Sequence, residues 1–457
     1  MSSTPPATVV GRLTELARRR PVTDPVVDKV RIVLGDALAL ALEARTTPAG
    51  RTALGLAATA PSGPATVVGL DHTVATESAV LGNSALIHSL LRDDAHADTL
   101  LHPAAVVLPV ALALAEETGA STPDFVSAVI AGYEVLAAVA APVASETAGR
   151  GLRNTAVFGP IGAATAAGSV LGLDDERVAA ALLIAAGSAG GTLQAFRAGS
   201  PEWRFQPGLA AQLGVSAARL AAALDPELLP FPGDALESPN GLYVVLAGVD
   251  VDAVSRIPLA PRALLEVTHK LHATCGANQV PVAALGSILA SGVSADDIVR
   301  IDVHLSRASF EYPGCEDYGP FHDGGTFLSR PFALAATALA GRGPLGEVQT
   351  RAALGDPRLD RLARTVHAHV VPDSELRSSQ DAWITVELAD GSVRRAGADD
   401  LDDRDLQPDW PAIANRMLAV DSVTGERLSS VLERFPAIEV AELAAALRAT
   451  SPRSENL

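Results

Sequence analysis

The strongest constraint on this chain is a series of Ala-rich segments that are apolar nearly all round. Residues 102–118 (HPAAVVLPVALALAEET), 122–141 (TPDFVSAVIAGYEVLAAVAA) and 159–171 (GPIGAATAAGSVL) show it best. Apolar residues recur there at three- and four-residue spacing, the period of an α-helix, with no polar stripe opposite. A helix without a polar face must be covered on every side, which puts it inside a large helical bundle. Segments 23–42, 76–91, 174–189 and 208–224 repeat the pattern, the first after a Thr-Asp-Pro entry. Residues 66–70 (TVVGL) read as a short hairpin arm.

The pattern changes near Pro258. Val299 to Leu305 (VRIDVHL) and Thr365 to Val371 (TVHAHVV) alternate as half-buried strands do. Ala382 to Arg395 (AWITVELADGSVRR) reads as a hairpin turning at Asp-Gly. Between them lie a Gly/Pro-rich loop, Tyr312 to Gly325, and a helix, Arg330 to Ala340. Helical segments return at 409–420, 425–435 and 438–449. The expected fold is therefore mainly α with an α+β insert: an all-helical domain over 1–265 and 400–457, and an α+β unit over 266–399.

Charged residues make up only 19% against 48% hydrophobic, so much surface must go into packing or a subunit interface. A net charge of −18 lacks the basic footprint of a nucleic-acid binder. Two cysteines, Cys275 and Cys315, are too few for a disulfide framework or a Cys-rich zinc site. The opening MSSTPPATVVGRLTELARRRP has no apolar core of a secretory signal, and no segment is a clean span of apolar residues. A cytoplasmic protein without a membrane partner is expected. Of the 35 basic residues only Lys29 and Lys270 are lysines, the mark of a GC-rich genome in which a retained lysine needs a reason.

Three polar clusters stand out. Arg92 to Pro103 (RDDAHADTLLHP) joins two apolar helices, with His102 just before the second one, beside a helix N-terminus. On composition a solvated, helix-capping loop is as good a reading. Metal ligation is weaker, because no HExxH-like spacing supports it. His269 to Gln279 (HKLHATCGANQ) carries Lys270 at the junction of the two units, where ligand clefts form and where burial lowers a lysine pKa; a surface hinge lysine is the plain alternative. Tyr312 to Gly325 (YPGCEDYGPFHDGG) is either a functional loop or a surface excursion. The glycines of 159–168 and 187–191 follow no strand of a βαβ unit, so they serve helix packing and not a nucleotide.

Taken together, RDDAHADTLLHPAAVVLPVALALAE, GYEVLAAVA, GLRNTAVFGPIGAATAAGSVLGLD, PGLAAQLGVSAARLA, KLHATCGANQVPVAA and YPGCEDYGPF with LSRPFALAATALAG resemble the 2-methylcitrate dehydratase (MmgE/PrpD) family. That family also includes cis-aconitate decarboxylase and iminodisuccinate epimerase. The resemblance implies a large helical domain, a smaller α+β lid, a homodimer, no cofactor or metal, and a small-molecule site in the cleft. It matches the family's acidic-histidine loop to Asp93, Asp94 and His96, its His-Pro to His102 and Pro103, and its cleft lysine to Lys270. Two positions depart: Arg153 stands where many members have histidine, and Gln212 aligns with a lysine of the decarboxylase. A permanent cation replacing a titrating imidazole, with one lysine fewer, points away from a tricarboxylate.

The chemistry so implied starts with proton loss beside a carbonyl or carboxylate, and it needs a base, an acid and cationic donors for the developing charge. The expected catalytic residues are Lys270, His102, Asp93 and His96; Arg153, Gln212, His272, Tyr312 and Asp94 are expected to bind substrate. Dehydration leads, on a less charged substrate of bacterial secondary metabolism and with conjugate addition or ring closure as a possible sequel. Epimerisation at an acidic carbon and a non-catalytic ligand-binding relative are the alternatives.

Overall fold

A computed structural model of the chain describes residues 8–448 apart from 20, 230–232, 249–256, 258–261, 323–325, 342, 379 and 403–406. Pro258, where the sequence pattern changes, and the Gly-Gly end of the 312–325 loop lie outside the described residues.

Eleven helices lead the chain: α1 Val9–Arg18, α2 Asp24–Ala44, α3 Pro48–Ala58, α4 Thr76–His88, α5 Ala104–Thr118, α6 Thr122–Ala140, α7 Ala144–Gly149, α8 Asn154–Val170, α9 Asp175–Ala186, α10 Gln194–Ala198 and α11 Gln206–Ala223. α5, α6 and α8 are buried along almost their whole length, as their all-round apolar sequences require. α6 has the length and composition to cross a membrane, but 83% of its apolar window is buried among neighbouring helices. Glycines let these helices approach closely. A Cβ at Gly162 of α8 would lie 2.6 Å from the Leu136 Cβ of α6, and one at Gly214 of α11 would meet Ala163 and the Pro160 carbonyl of α8. The glycines of 159–168 thus sit inside a packed helix. The expected hairpin arm lies one step earlier: β1 (Ser62–Thr66) pairs antiparallel with β2 (Thr73–Val74), while Val67 and Val68 turn into the core.

Strands β3 (Ile298–Leu305), β4 (Val366–Val370), β5 (Ala382–Leu388) and β6 (Val393–Gly397) form one sheet in the order β4-β3-β5-β6. β3 and β4 are parallel, linked through the helix Arg330–Ala340, and the β5–β6 hairpin turns at Asp390-Gly391 with Gly391 at φ 79°. The sheet buries Ile301, Val303, Leu305, Ile384 and Val386 against that helix and the helix Gln279–Ala290, in a core of their own. The helices Trp410–Val420, Ser422–Glu433 and Val440–Leu447 return to the first core through Ile413, Met417, Leu428 and Leu443. The fold is mainly α with a smaller β component.

Candidate active site

The site grows from the segment between α4 and α5. It opens at Leu91 (φ 52°) and closes at Leu100 (φ 56°), the two non-glycine residues in the left-handed region among those described. Such backbone persists only where the surroundings hold it. Here Asp94 does the holding. Its Oδ1 accepts the Ala104 N–H at the start of α5 (2.9 Å), and its Oδ2 accepts the Tyr133 hydroxyl of α6 (2.9 Å). Burial pushes the Asp94 carboxyl up to about 7. Ala95 then exchanges two backbone hydrogen bonds with Thr268, which ties this segment to the one that carries Lys270.

Asp93, Asp94 and His96 are buried, so the solvated-loop reading is excluded. Lys270 is 2% exposed and no surface hinge residue. Its Nζ faces Asp93 Oδ1 at 3.9 Å, and His102 Nδ1 lies 3.7 Å from the same oxygen. Neither the Lys270 Nζ nor Asp93 Oδ1 has a hydrogen-bond partner among the described residues. The other Asp93 oxygen bonds His88 Nδ1 at 2.7 Å.

Proton positions follow from the partners. The Asp94 carbonyl can only accept, so the His102 Nδ1 at 2.8 Å donates and leaves Nε2 with its lone pair. The Arg153 guanidinium can only donate, so His88 Nε2 accepts from it and His88 Nδ1–H donates to Asp93. Burial lowers His88 to about 4 and holds His102 well below the usual imidazole value, so both rings are neutral at pH 7. Burial would raise Asp93, but His88, His102 and Lys270 outweigh it and keep the carboxylate ionised. Burial also lowers Lys270.

Arg153 caps the start of α8, with its guanidinium bonded to the Trp203 carbonyl, the Gln206 side-chain oxygen and His88, and set 4.9 Å from the Phe196 ring. No carboxylate pairs with it among the described residues; Asp93 reaches it through His88. One NH2 hydrogen and the Nε–H stay outside these bonds. A small cavity of about 30 Å³ lies among Arg153, His102, Lys270, Cys275 and Tyr312. Gly276 and His102 also border an adjoining cavity of about 90 Å³ with His96, and Lys270 and Gly276 border a third of about 400 Å³ with Gln279, Arg377 and Gln380.

The structure thus brings Lys270, His102, Asp93, Arg153 and Tyr312 together, with His96 at the edge, its Nδ1 bonded to the Thr99 hydroxyl at 2.7 Å and its Nε2 3.6 Å from Glu266. Three expected residues do otherwise. Gln212 donates its amide to the Glu77 carbonyl at the α4–α11 contact and borders none of these cavities. His272 accepts the Leu345 N–H and borders a separate cavity with Ala283 and Pro344. Asp94 spends its carboxylate on the loop and on Tyr133. His88, which sequence reading missed as a buried member of an apolar helix, is the link between Asp93 and Arg153. Its signal was a histidine five residues before Asp93, at the C-terminal end of α4.

His88, Asp93 and His102 present ligand-type atoms within 4.8 Å of one another. His88 is bonded at both ring nitrogens, and Lys270 and Arg153 put two cations against the same group. This arrangement handles protons and anions better than a divalent ion.

The family profile of the MmgE/PrpD N-terminal domain matches residues 12–251, more than half of the chain. A cis-aconitate decarboxylase-like protein, oryM, of Aspergillus oryzae is 32% identical over 169 residues, which cover 35% of each chain. A cis-aconitate decarboxylase of Aspergillus terreus is 28% identical over 279 residues, 56% of this chain and 55% of the relative. The chain spans between about a third and about half the length of the curated relatives it matches. On the extent and order of the profile match, this chain belongs to the MmgE/PrpD family.

Proposed function

We propose that this protein is a cofactor-independent lyase that eliminates water from a β-hydroxy acid or ketone. The observation that carries the reading is the facing pair of Lys270 Nζ and Asp93 Oδ1, both buried and neither with a hydrogen-bond partner among the described residues. Opposite charges so desolvated and left unsatisfied are costly in a merely structural place. A ligand's polar group against them removes that cost. His102 Nε2 takes the proton from the carbon next to the carboxylate or carbonyl. Arg153 and the Lys270 ammonium stabilise the enolate-like charge. The electron pair then forms the double bond, and the departing hydroxyl takes a proton from Lys270 and leaves as water.

The family membership and the decarboxylases among its relatives support a lyase. That His102 and Lys270 border one cavity favours catalysis over a ligand-binding role. Arg153 brings one cation to the cavity and Gln212 brings no second one, which fits a substrate less charged than a tricarboxylate. We read the molecule as a helical domain with an α+β lid, in a cytoplasmic homodimer that engages neither membrane nor nucleic acid, working in secondary metabolism.

The test is proton NMR of the full chain with a panel of β-hydroxy acids and ketones in heavy water. We expect loss of the signal next to the carboxyl or carbonyl group together with new alkene signals, both absent for Lys270→Met of unchanged circular dichroism. Exchange without alkene would make the enzyme an epimerase instead. Undiminished turnover by Lys270→Met would overturn the mechanism.

A further inference from the structure

The cavity among Arg153, His102 and Lys270 measures about 30 Å³, room for about two or three water molecules and too little for a whole substrate. Lys270 and Gly276 also border the neighbouring chamber of about 400 Å³, so a longer molecule continues there. The wall of that chamber shows what it can hold. Gln279 is taken up by the backbone: its amide donates to the His272 carbonyl at 2.9 Å, and its oxygen accepts the His272 N–H at 3.0 Å. Arg377 pairs with Asp381 at 3.3 Å and with Asp399 at 2.9 Å, and Lys270 faces Asp93. Lys270, Arg377 and Asp381 thus each have a counter-charge.

His269 is different. It borders the chamber, is only 3% exposed, and has its Nδ1 3.3 Å from Asp36 Oδ2 of α2. Burial opposes the Asp36 charge, but Arg416 and the ring itself hold it, so the carboxylate accepts and Nδ1 carries the proton. Nε2, on the other side of the ring, is buried without a hydrogen-bond partner among the described residues. A buried imidazole nitrogen left unmet costs free energy, and a ligand's donor removes that cost. Gln380, just before β5, brings an amide to the same wall, and a Cβ on Gly276 would lie 3.0 Å from its nitrogen. Gly276 sits where the two spaces meet, and its lack of a side chain leaves the passage clear.

We propose that the 400 Å³ chamber binds an uncharged arm of the substrate ending in a hydroxyl, which donates to His269 Nε2, and that Gly276 is the passage for that arm. A carboxylate arm would meet a lone pair and no unclaimed cation among the described residues, and an alkyl arm would leave the nitrogen unmet. The substrate is then a β-hydroxy acid or ketone with a distal hydroxyl. The proposal rests on the elimination reading for the reacting end, which lies against Lys270 and Arg153.

Saturated acids, which bind without reacting, provide the test. Isothermal titration calorimetry on the full chain compares butanoate to octanoate with 4-hydroxybutanoate to 8-hydroxyoctanoate. We expect one chain length at which the hydroxyl tightens binding by about tenfold, the effect of one hydrogen bond to a buried group. His269→Phe removes that advantage. Because Phe also strands Asp36 and can impair folding, a crystal structure of the wild type with the preferred hydroxy acid is the second measurement. Its hydroxyl should lie within about 3.2 Å of His269 Nε2. Gly276→Val should weaken the long acids by about tenfold and propanoate by less than about threefold. A hydroxyl without effect at every length, or one seated elsewhere in the crystal, overturns the proposal. So does an advantage that survives His269→Phe, and equal losses of long and short acids in Gly276→Val refute the passage. Alkene formation from β-hydroxy acids with no hydroxyl preference sinks only the arm site, whereas the preference without any alkene sinks the elimination reading.

Discussion

His88 shows how much one buried side chain commits. It stays neutral because Arg153 claims its Nε2 and burial lowers its pKa from 6.5 to about 4. The unfolded chain binds a proton at this position below about pH 6.5, and the folded chain does so only near 4. Stability therefore falls as pH drops through that window, by about 1.4 kcal/mol per unit, and the effect is complete below about 4. Urea unfolding at pH 7, 6 and 5 should show this contribution as the difference in slope between the wild type and His88→Gln, whose side chain can donate to Asp93 and accept from Arg153. Arg153 is the other decisive residue. Removing its unused donors with Arg153→Met should raise KM for a carboxylate substrate by about tenfold to a hundredfold, the loss of a charged hydrogen bond. A fall in kcat beside it is expected from its place against the enolate-like charge, and an unchanged kcat would confine Arg153 to binding.

Among elements, the α8–α11 contact sets the geometry that presents Arg153, because α8 begins immediately after it. At Gly214 a Cβ would lie 2.7 Å from the Ala164 nitrogen and the Pro160 oxygen, backbone atoms that cannot step aside. Gly214→Val should destabilise the protein by about 1–3 kcal/mol or more, read from urea midpoints. Gly55 in α3 is the counter-case, exposed in a helix interior with nothing within 4 Å of its would-be Cβ. Gly55→Ala should stabilise by about 0.5–1 kcal/mol in the same assay. One glycine is there for contact, the other is not, and their helical sequence patterns do not distinguish them.

For the molecule as a whole, two distant parts of the chain hold the segment carrying Lys270. Lys29 of α2 donates to the Val267 carbonyl at 2.8 Å, so both lysines of the chain serve one site. Asp36, also of α2, lies 3.3 Å from His269 Nδ1 and accepts from Arg416 at 2.7 Å, in the helix Trp410–Val420. Burial would raise Asp36, but Arg416, His269 and Arg92 outweigh it and keep the carboxylate ionised. Arg416→Met leaves that buried charge half-paired and should cost about 3 kcal/mol in urea unfolding. A loss below about 1 kcal/mol would mean that this network does not secure the segment.

The sequence by itself determined the helices, the strands, the Asp-Gly hairpin and the retained lysine. Those signals are local: a 3.6-residue or two-residue period, a turn dipeptide, a residue type kept against composition. It also marked Asp93, His102 and Arg153, whose motifs lie within short segments. Only the tertiary structure decided that His88 joins Asp93 to Arg153, that Asp94 braces the loop, and that Gln212 and His272 stand apart. Each of those outcomes depends on which helix face turns toward which neighbour. No single segment encodes that choice, because packing selects it from the whole chain at once.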